Sequence, residues 1–131
     1  MSGITLTQFQ DQVSELLLRH RSLLDVLSKS QQTEASVNRS VIKAVTECGC
    51  VRLNAEKQPY TEGLTLEEAK RLTQTHLSGE LCEHCVDLIT AELGKHMFYV
   101  AALCNVLGLN LEDVVSKESQ TCNTLGLFNM S

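Results

Sequence analysis

A long apolar helix pattern in the C-terminal third constrains this chain most. No proline lies between Cys82 and Gly108, and apolar residues recur there every three or four positions, the spacing of one helix face. At about 100° per residue, one set of residues falls within roughly 40° of a single direction: Cys82, Val86, Ile89, Leu93, Met97, Val100, Cys104 and Leu107. We therefore predict a long helix that ends at Gly108 and buries this face in the core.

The rest of the chain carries the same helical spacing. Its 131 residues contain one proline and 4% aromatic residues, without a compositional break, which predicts a single all-α domain spanning residues 1–131. We expect helices at about 7–28, from residue 33 or 34 to before 57, at 65–76, and from 111 onward, with His20 facing the core. Short connections are expected at 28–33 and 57–63. Capping motifs at Thr5, Thr65 and Asn110 mark helix starts.

Charge and motif content exclude several function classes. The net charge is -5 and the eleven Lys and Arg residues are scattered, which argues against nucleic-acid binding. No apolar run of about 18 residues and no signal-peptide pattern is present, so we expect a cytoplasmic protein without membrane contact and with reduced cysteines. Phosphate-loop, dinucleotide, zinc-protease and serine-hydrolase motifs are absent from the sequence. The small size favours oligomerisation.

One acidic residue stands out on the flank of the long helix. Glu92 shares a stripe with Cys85, Leu88 and His96, so its carboxylate is expected to point along a helix–helix interface and to need a partner. Lys95, three residues on, is a sufficient structural partner.

Two segments of this region resemble a known superfamily. Residues 92–100 and 107–113 are similar to the ExxD helix and the closing helix of MazG-like nucleotide pyrophosphohydrolases. The resemblance implies an antiparallel bundle of four to five helices, a homodimer or homotetramer, and hydrolysis of a nucleoside triphosphate to monophosphate and pyrophosphate with Mg²⁺ or Mn²⁺. It also implies that Glu47, at the end of the preceding ExxE motif, joins Glu92 as metal ligand and catalytic residue.

The sequence departs from that pattern at two positions. Ala44 stands where the first Glu of ExxE is expected, and Lys95 stands where ExxD has Asp. An ammonium beside a metal site repels the cation, unless Lys95 turns toward water or binds a substrate phosphate itself. A second hypothesis is therefore a catalytically degenerate homologue that binds nucleotide or only assembles.

Cysteine pairs support a third hypothesis. Cys48 and Cys50 form a CxC, while Cys82 and Cys85 form a CxxC, so four thiols can in principle build a Cys₄ zinc site in a helical interaction module. Cys48 and Cys82 fall on apolar faces of predicted helices, which favours their interpretation as buried structural thiols. Zinc at Cys50, Cys82 and Cys85 is the alternative cofactor. No strand pattern precedes Cys82, which disfavours a thioredoxin-like role.

Overall fold

The computed structural model describes residues 3–17, 22–58 and 62–127, and most of them are helical. The elements in chain order are α1 (Leu6–Leu16), α2 (Leu23–Lys43), a π-helix (Ala44–Cys48) that continues α2, β1 (Val51–Leu53), α3 (Leu66–Leu72), β2 (Leu77–Gly79), α4 (Glu83–Leu107) and α5 (Leu111–Leu127). The helical class is confirmed, with one small two-stranded ribbon that the sequence pattern did not predict.

Capping contacts confirm the predicted helix starts at Thr5 and Thr65 and the predicted stop at Gly108, whereas the predicted end of the short helix near residue 76 comes four residues too late. The Gln8 N–H donates to Thr5 Oγ1 over 3.0 Å and the Thr5 N–H donates to Gln8 Oε1 over 2.9 Å, a complete capping box for α1. The Glu68 N–H donates to Thr65 Oγ1 over 3.1 Å at the start of α3. Gly108, with φ 70°, ends α4 in the left-handed conformation that glycine adopts without strain.

The predicted helix over residues 7–28 and the predicted connection at 28–33 are both wrong, because α1 ends at Leu16. Helix α2 runs straight through residues 28–33, from Leu23 to Lys43. The segment contains neither glycine nor proline, and its lysine and glutamines are good helix formers, so polarity alone does not break the helix. Thr33 is buried there, and its hydroxyl donates to the Lys29 carbonyl over 2.9 Å. The prediction for His20 falls outside the described residues.

The main core lies around the C-terminal half of α4. Its buried members come from α1, the residue after it, α2, α4 and α5: Val13, Leu17, Val26, Ala101, Ala102, Cys104 and Leu111. Gln10 ties this end together, because its Nε2 donates to Asn105 Oδ1 and to the Leu109 carbonyl over 2.9 and 2.8 Å. Its Oε1 accepts the Leu111 N–H over 2.8 Å. This buried amide therefore fixes α1 against the turn between α4 and α5.

The predicted buried face of α4 is only partly right. Cys104 is buried, but Val86, Leu93, Met97 and Leu107 are 44%, 47%, 39% and 52% exposed. The reason is that α2 packs on a neighbouring face: Thr33 bonds to His96 and Ala44 packs against Cys85, so α2 runs antiparallel to α4 on that side. An apolar strip of α4 is thus left uncovered in the single chain.

The ribbon sits at the opposite end of α4 from the main core. β1 pairs antiparallel with β2 in the register Val51↔Gly79 and Leu53↔Leu77. Ala44, Val51 and Cys85 form a small second core here. Within the described residues, no single helix has both the length and the hydropathy to cross a bilayer, and α4 with α5 meets those criteria only as a pair bent by 107°.

Candidate metal centre

Four cysteines converge where the ribbon meets α2 and α4. The Sγ atoms of Cys48, Cys50, Cys82 and Cys85 all lie within 4.8 Å of one another. It is the sole cluster of three or more His, Cys, Asp or Glu ligand atoms found in residues 3–17, 22–58 and 62–127. All four thiols are free of disulfide bonds. The arrangement can hold a metal ion.

The CxC half of the cluster is positioned by the end of the π-helix. Cys48 is the last residue of that helix, and Gly49, with φ 77°, turns the chain while its N–H donates to the Ala44 carbonyl over 2.9 Å. Glycine adopts this left-handed backbone conformation without the strain that a side chain would cause. Cys50 follows directly, with its Sγ 3.9 Å from the Ala44 carbonyl oxygen, and β1 begins at the next residue. The turn brings both thiols to the same side.

Strand pairing then brings the CxxC half to the CxC half. A Cβ added at Gly79 would lie 2.6 Å from the Cys50 carbonyl oxygen, and Gly79 has φ 85°. Glycine is therefore required for β2 to approach β1 this closely. Cys82 is the N-cap of α4, and its Sγ accepts the Cys85 N–H over 3.4 Å. One helical turn places Cys85 beside Cys82.

The four thiols differ in exposure. Cys85 is buried in the second core, Cys50 and Cys82 are half-buried, and Cys48 is exposed. Cys48 Sγ and Cys82 Sγ are 3.7 Å apart. Since Zn–S bonds are about 2.3 Å long, two thiolates on one tetrahedral zinc lie roughly 3.8 Å apart. This separation fits one edge of such a tetrahedron and is far longer than a disulfide bond of about 2.05 Å.

The thiols also perturb one another's protonation. The Cys85 N–H that donates to Cys82 Sγ lowers the pKa of the Cys82 thiol from 9.0 to about 7. The hydrogen bond with Cys82 raises the pKa of Cys48, and burial raises that of Cys85 far above its usual range. Four thiolates so close together repel one another, so full deprotonation of the cluster requires a cation.

Sequence reasoning underestimated this cluster at two residues. Cys48 and Cys82 were predicted to be buried structural thiols, yet the first is exposed and the second half-buried. Both lie at element ends rather than inside helices, because the π-helix stops at Cys48 and α4 starts after Cys82. The glycine inside Cys48-Gly49-Cys50 was the available signal, since metal-binding knuckles place cysteines on turns of this kind. A short strand, β2, also precedes Cys82.

Glu47 and Glu92 both line a cavity beside the cysteine cluster. The cavity has a volume of about 510 Å³ and lies between α2, the π-helix and α4. Its wall includes the two carboxylate residues, basic Arg39 and Lys43, and the cluster members Cys48 and Cys85. Among the described residues, Glu47 and Glu92 are not part of a group of three or more potential metal ligands.

Lys95 pairs with Glu92, as its spacing predicted. Its Nζ lies 3.6 Å from Glu92 Oε1, with the Lys95 side chain 65% exposed and that of Glu92 26% exposed. Both residues also line a neighbouring cavity of about 570 Å³ that contains Phe9, Phe98 and Tyr99. The partner that Glu92 has in this structure is therefore a lysine.

Comparisons of the chain with protein-family models, with curated proteins and with solved structures found no match.

Proposed function

We propose that this protein is a helical interaction module whose ribbon end is held together by a zinc ion bound to Cys48, Cys50, Cys82 and Cys85. The observation that carries the proposal is the convergence of the four Sγ atoms within 4.8 Å. Four thiolates without an open position are typical of structural zinc rather than catalytic zinc. The ion links the end of the π-helix to the start of α4. It therefore holds together the two ends of the intervening segment 51–81.

Metal analysis tests the zinc site directly. The full chain, purified without chelator, is expected to contain one zinc per chain, and a Cys48→Ser variant is expected to contain less. Cys122→Ser is the matched control, because Cys122 is also exposed but lies outside the cluster. A tetrathiolate site also accommodates iron, which visible absorption distinguishes from colourless zinc. Protein without a stoichiometric metal would contradict the proposal.

The interaction surface that we assign to the module is the uncovered strip of α4. Val86, Leu93 and Met97 are exposed there with uncharged Thr90 between them. An exposed apolar strip of this kind marks an interface, and an acidic chain with net charge -5 is repelled by anionic membranes. The occupant that fits is a second copy, since two uncharged strips meet across a twofold axis without like-charge repulsion.

Light scattering after size exclusion tests this surface. The native chain is expected to elute as a dimer or a tetramer, and Leu93→Glu is expected to shift it toward monomer by placing two carboxylates at the interface. Ala55→Glu adds the same charge at an exposed position outside α4 and is expected to leave the mass unchanged. A monomeric native chain would rule out the self-association.

A second candidate function is the MazG-like hydrolysis of a nucleoside triphosphate with Mg²⁺. The specific observation in its favour is that Glu47 and Glu92 line one cavity, beside a second cavity with three aromatic residues and Lys95. The Glu92–Lys95 ion pair over 3.6 Å opposes metal binding there. Within this candidate, the ion pair favours the degenerate form, which binds nucleotide without hydrolysing it.

A pyrophosphate-release assay separates the two forms. Turnover of nucleoside triphosphates with Mg²⁺ or Mn²⁺, abolished in Glu92→Gln, would establish the active form. Lys95→Asp restores the ExxD pattern and is expected to increase Mg²⁺ affinity if Glu47 and Glu92 share an ion. Absence of both turnover and nucleotide binding in the native chain would exclude this candidate, and it would leave the zinc module unaffected.

A further inference from the structure

Exposure and direct contact distinguish Cys48 and Cys82 from the other two thiols. Cys48 is the exposed thiol, Cys85 is buried, and Cys50 and Cys82 are both half-buried. Of the two half-buried thiols, Cys50 has its Sγ turned to the Ala44 carbonyl. Cys82, by contrast, is in direct contact with Cys48, with their Sγ atoms 3.7 Å apart. A small oxidant arriving from solvent therefore meets Cys48 first and finds Cys82 next to it.

We propose that Cys48 and Cys82 are the oxidation-sensitive edge of the metal centre, at which a hydroperoxide converts the two thiolates to a disulfide and releases the zinc. The proposal rests on the zinc site proposed above and adds its regulation. A disulfide between these residues lies within reach, because the sulfurs need to approach from 3.7 Å to about 2.05 Å.

The chemistry balances with hydrogen peroxide as the oxidant. The Cys48 sulfur attacks one peroxide oxygen, the O–O bond breaks, and a sulfenic acid forms as hydroxide leaves. The Cys82 thiolate then attacks the sulfenic sulfur, the S–S bond forms, and a second hydroxide leaves. Two thiolates are oxidised, one peroxide is reduced, and the two hydroxides take up two protons to become water. Cys50 and Cys85 keep their electrons and take up two further protons as zinc departs.

The positions of the two pairs determine what happens to the fold. The disulfide would join the last residue of the π-helix to the N-cap of α4, so the covalent bond replaces the link that the metal made. Two remaining thiols are too few for a structural zinc site, which uses four ligands. Oxidation therefore exchanges a metal link for a disulfide link at the same joint, and a thiol reductant reverses it.

Zinc release under peroxide tests the proposal. Zinc-loaded full-length protein is treated with hydrogen peroxide in the presence of a chromophoric zinc chelator, and peptides are then mapped by mass spectrometry. We expect one zinc released per chain together with a Cys48–Cys82 disulfide, and rebinding of one zinc after addition of dithiothreitol and zinc. Cys122→Ser is the control and is expected to behave as the native chain.

Other outcomes contradict the proposal in distinguishable ways. Two results would overturn the oxidation proposal without contradicting the proposed zinc site. One is zinc retained under conditions that oxidise exposed Cys122, and the other is a disulfide that joins Cys50 to Cys85. Cys48→His offers zinc a Cys₃His set and cannot form the disulfide, so its zinc should leave at least about tenfold more slowly if it loads. If it does not load, disulfide mapping on the native chain decides. Absence of zinc before treatment would reject the zinc site itself.

Discussion

The two ends of helix α4 are held in different ways. At the C-terminal end, apolar side chains from α1, α2 and α5 surround Ala101, Ala102 and Cys104, and the Gln10 amide satisfies the backbone of the α4–α5 turn. At the N-terminal end, the buried apolar cluster among the described residues consists of Ala44, Val51 and Cys85, and Cys85 is also one of the four converging thiols. A core this small contributes little apolar burial. Packing therefore stabilises one end, whereas the proposed zinc ion would stabilise the other.

Loss of a metal ligand should have the largest effect. Cys85→Ser and Cys104→Ser make the same chemical change at buried cysteines on the same helix, one at each end. We expect Cys85→Ser to lose zinc and to lower the free energy of unfolding by on the order of 4 kcal/mol or more, since structural zinc contributes about 10–16 kcal/mol in small domains. Urea unfolding and zinc analysis measure both. Equal destabilisation by the two variants, with zinc kept in both, would remove the contrast between the ends.

The next largest effect is expected at the packed end. Leu111 is 2% exposed in the main core, and truncation of a buried leucine to alanine costs about 2–5 kcal/mol. Leu111→Ala should therefore destabilise the protein without changing its zinc content, while Leu109→Ala, at a position that is 50% exposed, should cost less than about 1 kcal/mol. Hydrogen exchange should show faster opening around residues 98–111 in the first variant. Zinc loss in Leu111→Ala would mean that the ends are coupled.

The sequence predicted the packed end better than the ribbon end. Helical spacing, the Thr5 cap and the Gly108 stop are local features that a chain displays directly. The strands of the ribbon are three residues each, too short for a period to be recognised. Cys48 and Cys82 looked like parts of apolar helix faces because the π-helix end and the α4 start that expose them arise from long-range pairing of β1 with β2.

The exposed strip of α4 was missed for a related reason. Spacing identifies an apolar face, but it does not say whether the same chain covers that face. Val86 and Leu93 belong to the predicted face and are 44% and 47% exposed.

The ion pair between Glu92 and Lys95 was predictable from sequence, because residues three apart on a helix are neighbours. The 3.6 Å separation of Lys95 Nζ from Glu92 Oε1 confirms that prediction.

Two glycines allow the close approach of β1 and β2 to be tested separately from backbone strain. Gly79 and Gly63 have nearly equal φ values of 85° and 84°, but a Cβ at Gly79 would lie 2.6 Å from the Cys50 carbonyl oxygen, whereas one at Gly63 meets nothing within 4 Å. Alanine at either position carries similar backbone strain, so the difference between the variants isolates the steric effect. We expect Gly79→Ala to weaken zinc binding about tenfold or more relative to Gly63→Ala, measured by competition with a chelator. Equal affinities would show that the close β1–β2 approach does not position Cys50.

The smallest effect concerns the metal-free protein and depends on pH. The N–H of Cys85 lowers the pKa of Cys82 from 9.0 to about 7, so the thiolate fraction of Cys82 should reach half near pH 7 and level off above pH 8. Burial raises the pKa of Cys85, which should keep that thiol unreactive over the same range. Iodoacetamide labelling from pH 5 to 9, read by peptide mass spectrometry after zinc removal, measures both profiles. A Cys82 midpoint near pH 9, or equal labelling of the two residues, would mean that the N-terminal turn of α4 does not persist without metal. In that case the proposed zinc ion would be needed to form the ribbon end and not only to stabilise it.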